Sequence, residues 1–455
     1  MSFFDTILYN LPEVASPTQK RLSFKEKLKW TLIILVIFFV LGLIPLYGLG
    51  DNALQQFQFL SIILGASFGS IISLGIGPIV TASIVLQLLN GSGIAKFDLT
   101  THEGKMRFQG IQKLLSVGFI VLEGFIYVGM GGLRPSAGIS PLILIFQLLL
   151  GGILIMFMDE VVSKWGFGSG ISLFIAAGVS QTIFIRILNP LPSPSNPSIS
   201  TGAIPALFQS IGAGDPQTAT IMLASVVATI LVFMIVVYTQ SMKVEIPLSF
   251  GRVRGQGMRW PLNFFYTSNI PVILTAALIA NIQLFARLLY NWGYPILGTF
   301  ANNSPVSGLA SMLRAPNMIQ SIITGSFTLS MVGQAIVYLI IFMVGSVIFS
   351  YFWVQTAGLD SKSQAKQIMS SGLQIPGFRK DQRVLERLLD RYIGPLTLMG
   401  GLAVGLLAAL ANLTGAFGSG TGILLTVMIV YQLYEEIAQQ HMMDMNPMMR
   451  KFMGK

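Results

Sequence analysis

The chain predicts an all-α polytopic membrane protein: ten transmembrane helices in two inverted five-helix halves. Three observations carry this. Of its 455 residues, 53% are hydrophobic and only 10% charged, with a mean hydropathy of +0.72, whereas soluble domains carry about 25% charged residues. Ten apolar segments are long enough, at about 20 residues per span, to cross a bilayer. The fifth and tenth of them open on the same tetrapeptide, FGSG at 167–170 and 417–420.

Residues 1–29 form an N-terminal segment expected on the cytoplasmic or interfacial side. The apolar run after it, WTLIILVIFFVLGLIPLYGLG (30–50), is about twice a signal-peptide core and is followed by many spans, so no cleaved leader is expected. The first half (30–188) places spans near 30–49, 74–90, 112–132, 141–159 and 170–188. Residues 55–72 are left over as a short half-helix before the second span. An external linker (189–218) contains NPLPSPSNPSIS (189–200), uncharged and rich in Pro and Ser, which reads as a spacer. The second half (219–440) places spans near 219–240, 262–288, 333–355, 392–412 and 421–439, and a Met-rich tail (441–455) follows. That tail reads either as an adaptable apolar surface or as a disordered end.

Lys and Arg fix the direction, because they stay on the cytoplasmic side. With both termini inside, 24 of the 28 basic residues fall on one face, leaving Arg134, Arg186, Arg287 and Arg314 on the other. The net charge of +10 is therefore mostly a topology signal. Two cytoplasmic loops exceed what topology needs. One is MKVEIPLSFGRVRGQGMRWP (242–261), with Arg252 and Arg254 among glycines at a turn. The other is 356–391, where PGFRKDQR (376–383) carries Arg379 on an exposed bend. Such tips suit phosphates on an RNA-containing partner.

No charged residue lies between Asn52 and Ala95, and GIGP at 75–78 interrupts this stretch. Gly75, Gly77 and Pro78 are expected to break the second span, and broken backbone at membrane depth is tolerated only where protein or a water-filled cavity covers it. A re-entrant 55–72 facing an aqueous interior satisfies that, and the alternative is a Pro-kinked helix packed through small residues. The second span of the other half carries SNIPVIL (268–274) where this one has GIGPIV (75–80). Matching elements in halves of five spans, an odd number, indicate an inverted repeat with the functional site between the halves.

The residues flanking these breaks are aliphatic. A ring of such side chains binds small ions poorly but makes a barrier, since moving an ion into that medium costs on the order of 20 kcal/mol in the idealised limit and apolar constrictions gate by dewetting. Glu123 is the one carboxylate well inside a span, either a pore residue or one paired with a neighbour. Asp159 and Glu160, at the end of the fourth span, are expected to be solvated. With no cysteine, two histidines and no HExxH, neither a metal site nor a catalytic centre is expected. The alternative that stays open is an inverted-repeat secondary transporter of a small solute.

At KEKLKW (25–30), LGIGPIVTASIVLQLL (74–89), GSGISLFIAAG (168–178), IPLSFGRVRGQ (246–256), SNIPVILTAALIANIQ (268–283) and GSGTGILLTVMIVYQLYE (418–435) the sequence resembles the archaeal SecY family, the pore-forming alpha subunits of the Sec protein translocon. The resemblance implies a protein-conducting channel with a central hourglass pore, which passes secretory polypeptides and releases transmembrane segments sideways into lipid. It assigns the pore ring to Ile76, Val80, Ile171, Ile175, Ile273 and Leu425. It assigns a plug to Phe57, Leu60, Ile63, Leu64, Gly65, Phe68 and Ile71. Gln87 and Asn281 would be the polar pair of a lateral gate between spans two and three and spans seven and eight, each alternatively a helix-packing amide. Arg252, Arg254 and Arg379 would dock the translating ribosome. The implied partners are a SecE-like gamma subunit, a small beta subunit, signal sequences, nascent chains and membrane lipids. The implied location is the plasma membrane, with no cofactor.

Overall fold

Long apolar helices build the structure, a computed structural model that describes residues 11–19, 22–52, 66–91, 94–95, 97, 102–129, 131–192, 199–250, 257–291, 293–301, 304–370, 373–374, 381–417 and 420–445. The chain folds as two compact units, Met1–Thr182 with Ile429–Lys455, and Ile183–Met428.

The first unit holds α1 (Phe24–Leu43), α2 (Gly77–Gly91), α3 (His102–Gly129), α4 (Pro141–Trp165) and most of α5 (Gly170–Leu188). Ser23 caps α1 by accepting the Glu26 amide, and Ser140 caps α4 ahead of Pro141, a proline placed where a helix has no use for its N–H. Strands β1 (Leu49–Asn52) and β2 (Leu133–Pro135) pair antiparallel outside the helices.

The second unit contains α6 (Ala203–Ala213), α7 (Pro216–Ser241), strands β3 (Lys243–Phe250) and β4 (Gly257–Asn263), and α8 (Ile270–Asn291). It continues through α9 (Leu329–Thr356), α10 (Ser361–Ser370), β5 (Leu373–Gln374), α11 (Gln382–Leu413) and the start of α12 (Gly420–Met445), with two short helices (Gly308–Met312 and Met318–Ile323) and a hairpin of two-residue strands (Phe300–Ala301 and Ser304–Pro305) between α8 and α9. Helix α7 exposes Leu223, Val227, Ile230, Leu231, Phe233 and Met234, an apolar face of the kind that lipid or an apolar partner covers.

Among the described residues eight helices, rather than the expected ten, are long and apolar enough to cross a membrane: α3, α4, α5, α7, α8, α9, α11 and α12. The remaining two expected spans correspond to α1, which starts FKEKLK, and α2, only 15 residues long. The expected division also placed the whole last span in the second half. Helix α12, about 39 Å long at 1.5 Å per residue, instead joins the first unit from Ile429 onward. There Gln440 donates to the Leu22 carbonyl at 3.0 Å and the His441 ring meets Phe24 edge-on.

The interrupted stretch before α2 differs from expectation. Residues 55–65 lie outside the described ones, and 66–76 form successive turns rather than the end of a half-helix. Three serines at i, i+3 and i+6 satisfy the backbone here. The Ser70 and Ser73 amides donate to the Ser67 and Ser70 carbonyls at 3.0 Å, Gly69 donates to Ser73 Oγ at 2.9 Å, and Ser67 Oγ donates to the Gly42 carbonyl at 3.1 Å. Ile71 donates to the Ile44 carbonyl of the chain leaving α1. The polar backbone of these turns thus finds partners within the protein. Close approach is set by Gly151 of α4, where an added Cβ would stand 1.9 Å from the Ile71 carbonyl oxygen.

Candidate functional site

GIGP is the start of a helix and not a break within one. Helix α2 begins at Gly77, so Pro78 is its second residue, a position that leaves no backbone acceptor unsatisfied. Gly75, two residues before the helix, has φ +58°, the left-handed region where glycine carries no steric penalty. The other half repeats this. Helix α8 begins at Ile270, Pro271 is its second residue, and Ser268, two residues before, has φ +55°. Ser268 is the one non-glycine with positive φ among the described residues. The first intrahelical bonds match as well, Val80 N–H to the Ile76 carbonyl at 3.0 Å and Ile273 N–H to that of Asn269 at 3.2 Å.

This places the six aliphatic positions. Ile76 immediately precedes α2 and Val80 lies in its first turn; Ile171 and Ile175 occupy the first two turns of α5; Ile273 lies in the first turn of α8; Leu425 lies in the second turn of α12. Ile76, Ile175, Ile273 and Leu425 are buried, Val80 and Ile171 half-buried, and none of the six is exposed. Each unit holds its share near helix starts: four residues in the first, two in the second.

Of the plug positions, Phe57, Leu60, Ile63, Leu64 and Gly65 lie outside the described residues. Phe68 meets the Tyr127 ring of α3 edge-on at 6.3 Å, and Ile71 sits over Gly151 as above. Gln87 on α2 donates its amide to Ser83 Oγ at 3.2 Å, while its buried carbonyl oxygen has no partner among the described residues. Asn281 is on α8, with its side chain outside the described residues.

Arg252, Arg254 and Arg379 also fall outside the described residues, but their stems do not. Strands β3 and β4 form a hairpin with Ser249 opposite Gly257, and β5 pairs with the end of β3, Ser249 opposite Gln374 and Phe250 opposite Leu373. The segments 251–256 and 375–380, more than 100 residues apart in sequence, therefore leave one three-stranded sheet. A small core supports it: Ile246 and Leu262 pack with Val354, Ile368, Leu385 and Leu389. The Tyr266 hydroxyl locks this base by donating to the Leu359 carbonyl at 2.7 Å.

Asp159 and Glu160 are engaged, contrary to the solvated pair expected. Glu160 pairs with Lys113 of α3 and accepts the Val14 amide at 3.0 Å. Asp159 Oδ1 accepts the Ile171 amide at 3.0 Å. Residues 11–15 run as an extended strap across α4, with Lys164 bound to Glu13 and donating to the Val14 carbonyl at 2.6 Å, and Trp165 Nε1 donating to that of Ala15 at 2.9 Å. The strap has no periodic signal, so the sequence shows only an N-terminal segment. Glu123 is half-buried on α3 and forms no ion pair among the described residues.

The family model described as SecY matches residues 70–434, and the one described as the plug domain of Sec61p matches 36–69. The protein translocase subunit SecY of Methanothermobacter thermautotrophicus is 49% identical over 99% of this chain and 98% of its own. A solved structure described as that of a protein conducting channel superposes with a TM-score of 0.81 at 44% identity, covering 96% of this chain and 97% of that one. Sec61 in the canine ribosome-channel complex from the endoplasmic reticulum gives a TM-score of 0.78 at 44% identity, with the same coverage.

Proposed function

The chain belongs to the SecY family, and from that premise we propose that it is the pore-forming subunit of a protein-conducting channel, sealed by Ile76, Val80, Ile171, Ile175, Ile273 and Leu425. One observation carries the seal: all six positions sit at or within two turns of the starts of four helices, and none is exposed. Branched aliphatic side chains suit the task because they exclude hydrated ions yet deform around a guest of varied chemistry. The chain itself performs no catalytic step; movement is driven from outside, as by a translating ribosome. The small-solute transporter has no comparable support, since the matched relatives and structures are translocase subunits and protein-conducting channels.

The test is to replace Ile76, Ile171 and Ile273 with Gly or Ser in the complex reconstituted in liposomes. Ion leak rises while translocation of a signal-bearing chain persists; unchanged leak refutes the ring.

Gln87 of α2 and Asn281 of α8 serve, in this reading, as the polar pair of a lateral gate. The Gln87 carbonyl oxygen, without a partner among the described residues, supports this, because a buried acceptor left unmade costs about 1–3 kcal/mol and an amide donor would remove that cost. The plug centres on 57–72. The sheet from which 251–256 and 375–380 leave supports a single ribosome-docking platform. Alanine at Arg252, Arg254 and Arg379 lowers the salt slope of ribosome binding, by roughly one unit for each phosphate no longer neutralised, without blocking membrane insertion. A SecE-like subunit, a small beta subunit and a plasma-membrane location with both termini cytoplasmic complete the reading.

A further inference from the structure

The two FGSG segments share more than letters. In the first unit the Phe167 amide donates to Thr31 Oγ1 of α1 at 3.1 Å, and the Ile171 amide donates to Asp159 Oδ1 of α4 at 3.0 Å. In the second unit the Phe417 amide donates to Thr229 Oγ1 of α7 at 3.0 Å, and the Gly420 and Thr421 amides donate to Asn412 Oδ1 of α11 at 2.8 and 3.3 Å. Both threonines sit on the first long helix of their half, and both acceptors near the end of the fourth. Each threonine hydroxyl in turn donates to the carbonyl four residues earlier, Lys27 at 2.9 Å and Ser225 at 2.7 Å.

The first amides of a helix have no intrahelical acceptor, and a side chain immediately before the helix normally supplies one. Here the acceptor comes from another helix, 12 residues before Ile171 in one half and 8 before Gly420 in the other. Only glycine permits the approach: an added Cβ at Gly170 would lie 2.6 Å from Asp159 Cα, and at Gly420 2.1 Å from Ala411 Cβ. Asn412 is fully used, since its amide also donates to Tyr338 Oη at 2.8 Å and Thr421 Oγ1 at 2.9 Å. Ile175 and Leu425 stand at the same place, five residues beyond the clasped glycine.

We propose that Thr31 with Asp159, and Thr229 with Asn412, are paired clasps that set the rotation and depth of the first two turns of α5 and α12, and so aim Ile175 and Leu425 into the seal. This rests on the ring reading above. The four are positioning residues. Losing a cap frays the first turns while packing still holds the rest of the helix, so the ring positions move first.

The test uses the reconstituted complex. Asp159→Leu removes the acceptor and Asp159→Asn keeps it; Asn412→Leu and Asn412→Asp do the same in the other half. Thr31→Val and Thr229→Val delete a hydroxyl at nearly constant volume, and Thr31→Ser and Thr229→Ser restore it. Because the chain has no cysteine, Ile175→Cys and Leu425→Cys report access to a membrane-impermeant maleimide without further changes. Resting ion leak and labelling at Ile175→Cys rise roughly fivefold in Asp159→Leu and Thr31→Val, the factor equivalent to about 1 kcal/mol, and return in Asp159→Asn and Thr31→Ser. Labelling at Leu425→Cys follows the second clasp in the same way. Equal leak and labelling in the acceptor-deleting and acceptor-keeping variants overturns the proposal. Should Asp159→Leu fail to assemble, the Thr31→Val and Thr31→Ser pair decides by the same criterion. Ile175→Gly separates the two readings: if it leaks and no clasp variant does, the clasps fail alone, and if it does not leak, the ring fails.

Discussion

At the approach to α2 the left-handed position is held by Gly75; at the matching approach to α8 it is held by Ser268. The residues that follow differ in the same sense. Where the first half has Ile76 and Ile171, the second has Asn269 and Thr421, both buried. The clasp acceptor is a carboxylate, Asp159, in one half and an amide, Asn412, in the other. Backbone geometry is thus retained between the halves while side-chain chemistry is not. What the repeat preserves is where a helix begins, and beginning a helix inside an apolar layer is what presents Val80, Ile175, Ile273 and Leu425 at equivalent places.

The largest expected effects come from the clasp glycines. Gly420→Ala forces a methyl against Ala411 at 2.1 Å, with backbone at 2.3 Å, and costs at least about 3 kcal/mol, the upper end for overpacking. Gly170→Ala, 2.6 Å from Asp159 Cα, costs about 2 kcal/mol. Thermal unfolding of the purified complex measures both, and a tolerated Gly420→Ala breaks the claimed equivalence of the two helix starts. Next come the left-handed positions, where the signs oppose. Gly75→Ala destabilises by about 1–2 kcal/mol, the cost of a side chain at that φ, whereas Ser268→Gly relieves that strain and stabilises by up to about 1 kcal/mol. Two shifts of the same sign would mean that the two approaches are not alike.

The smallest effect concerns a feature of the first half without a counterpart among the described residues of the second. The hydrogen bond from Lys164 holds the Glu13 carboxyl below its ordinary range. A depressed folded value means that the strap's contribution is present above the ordinary carboxylate range and is lost as pH falls through and below it. Glu13 is more than half exposed, so the contribution stays under about 1 kcal/mol and is screened by salt. The stability difference between the wild type and Glu13→Gln therefore vanishes on acidification. A difference that persists in acid assigns the strap to its backbone bonds instead.

Much of this was legible in sequence because its causes are local. Apolar length marks spans, and FGSG and the paired prolines mark the repeat. The errors were also physical. GIGP reads as a break because Gly and Pro disrupt helix interiors, yet the same residues open helices, and sequence alone does not say which end they occupy. Residues 66–72 read as part of a half-helix because they are the end of the apolar stretch left over before the second span, although the Ser70 and Ser73 hydroxyls close turns and that of Ser67 bonds to Gly42 of α1. Asp159 reads as solvated because its acceptor role is owed to a helix that begins eleven residues later. The union of the two basic loops on one sheet depends on β5 meeting β3 across more than 100 residues, for which no periodicity exists.

The most direct measurement arrests a translocating polypeptide in the channel and asks which positions touch it. Single cysteines introduced at Ile76, Val80, Ile171, Ile175, Ile273 and Leu425, one per variant in this cysteine-free chain, are crosslinked to a cysteine in the arrested segment, with Phe233→Cys on the exposed face of α7 as the outward control. Crosslinks at all six positions, from both halves, with none at the control, are predicted. Crosslinks confined to one half, or as strong at Phe233→Cys as at the six, would contradict a seal built from helix starts in both.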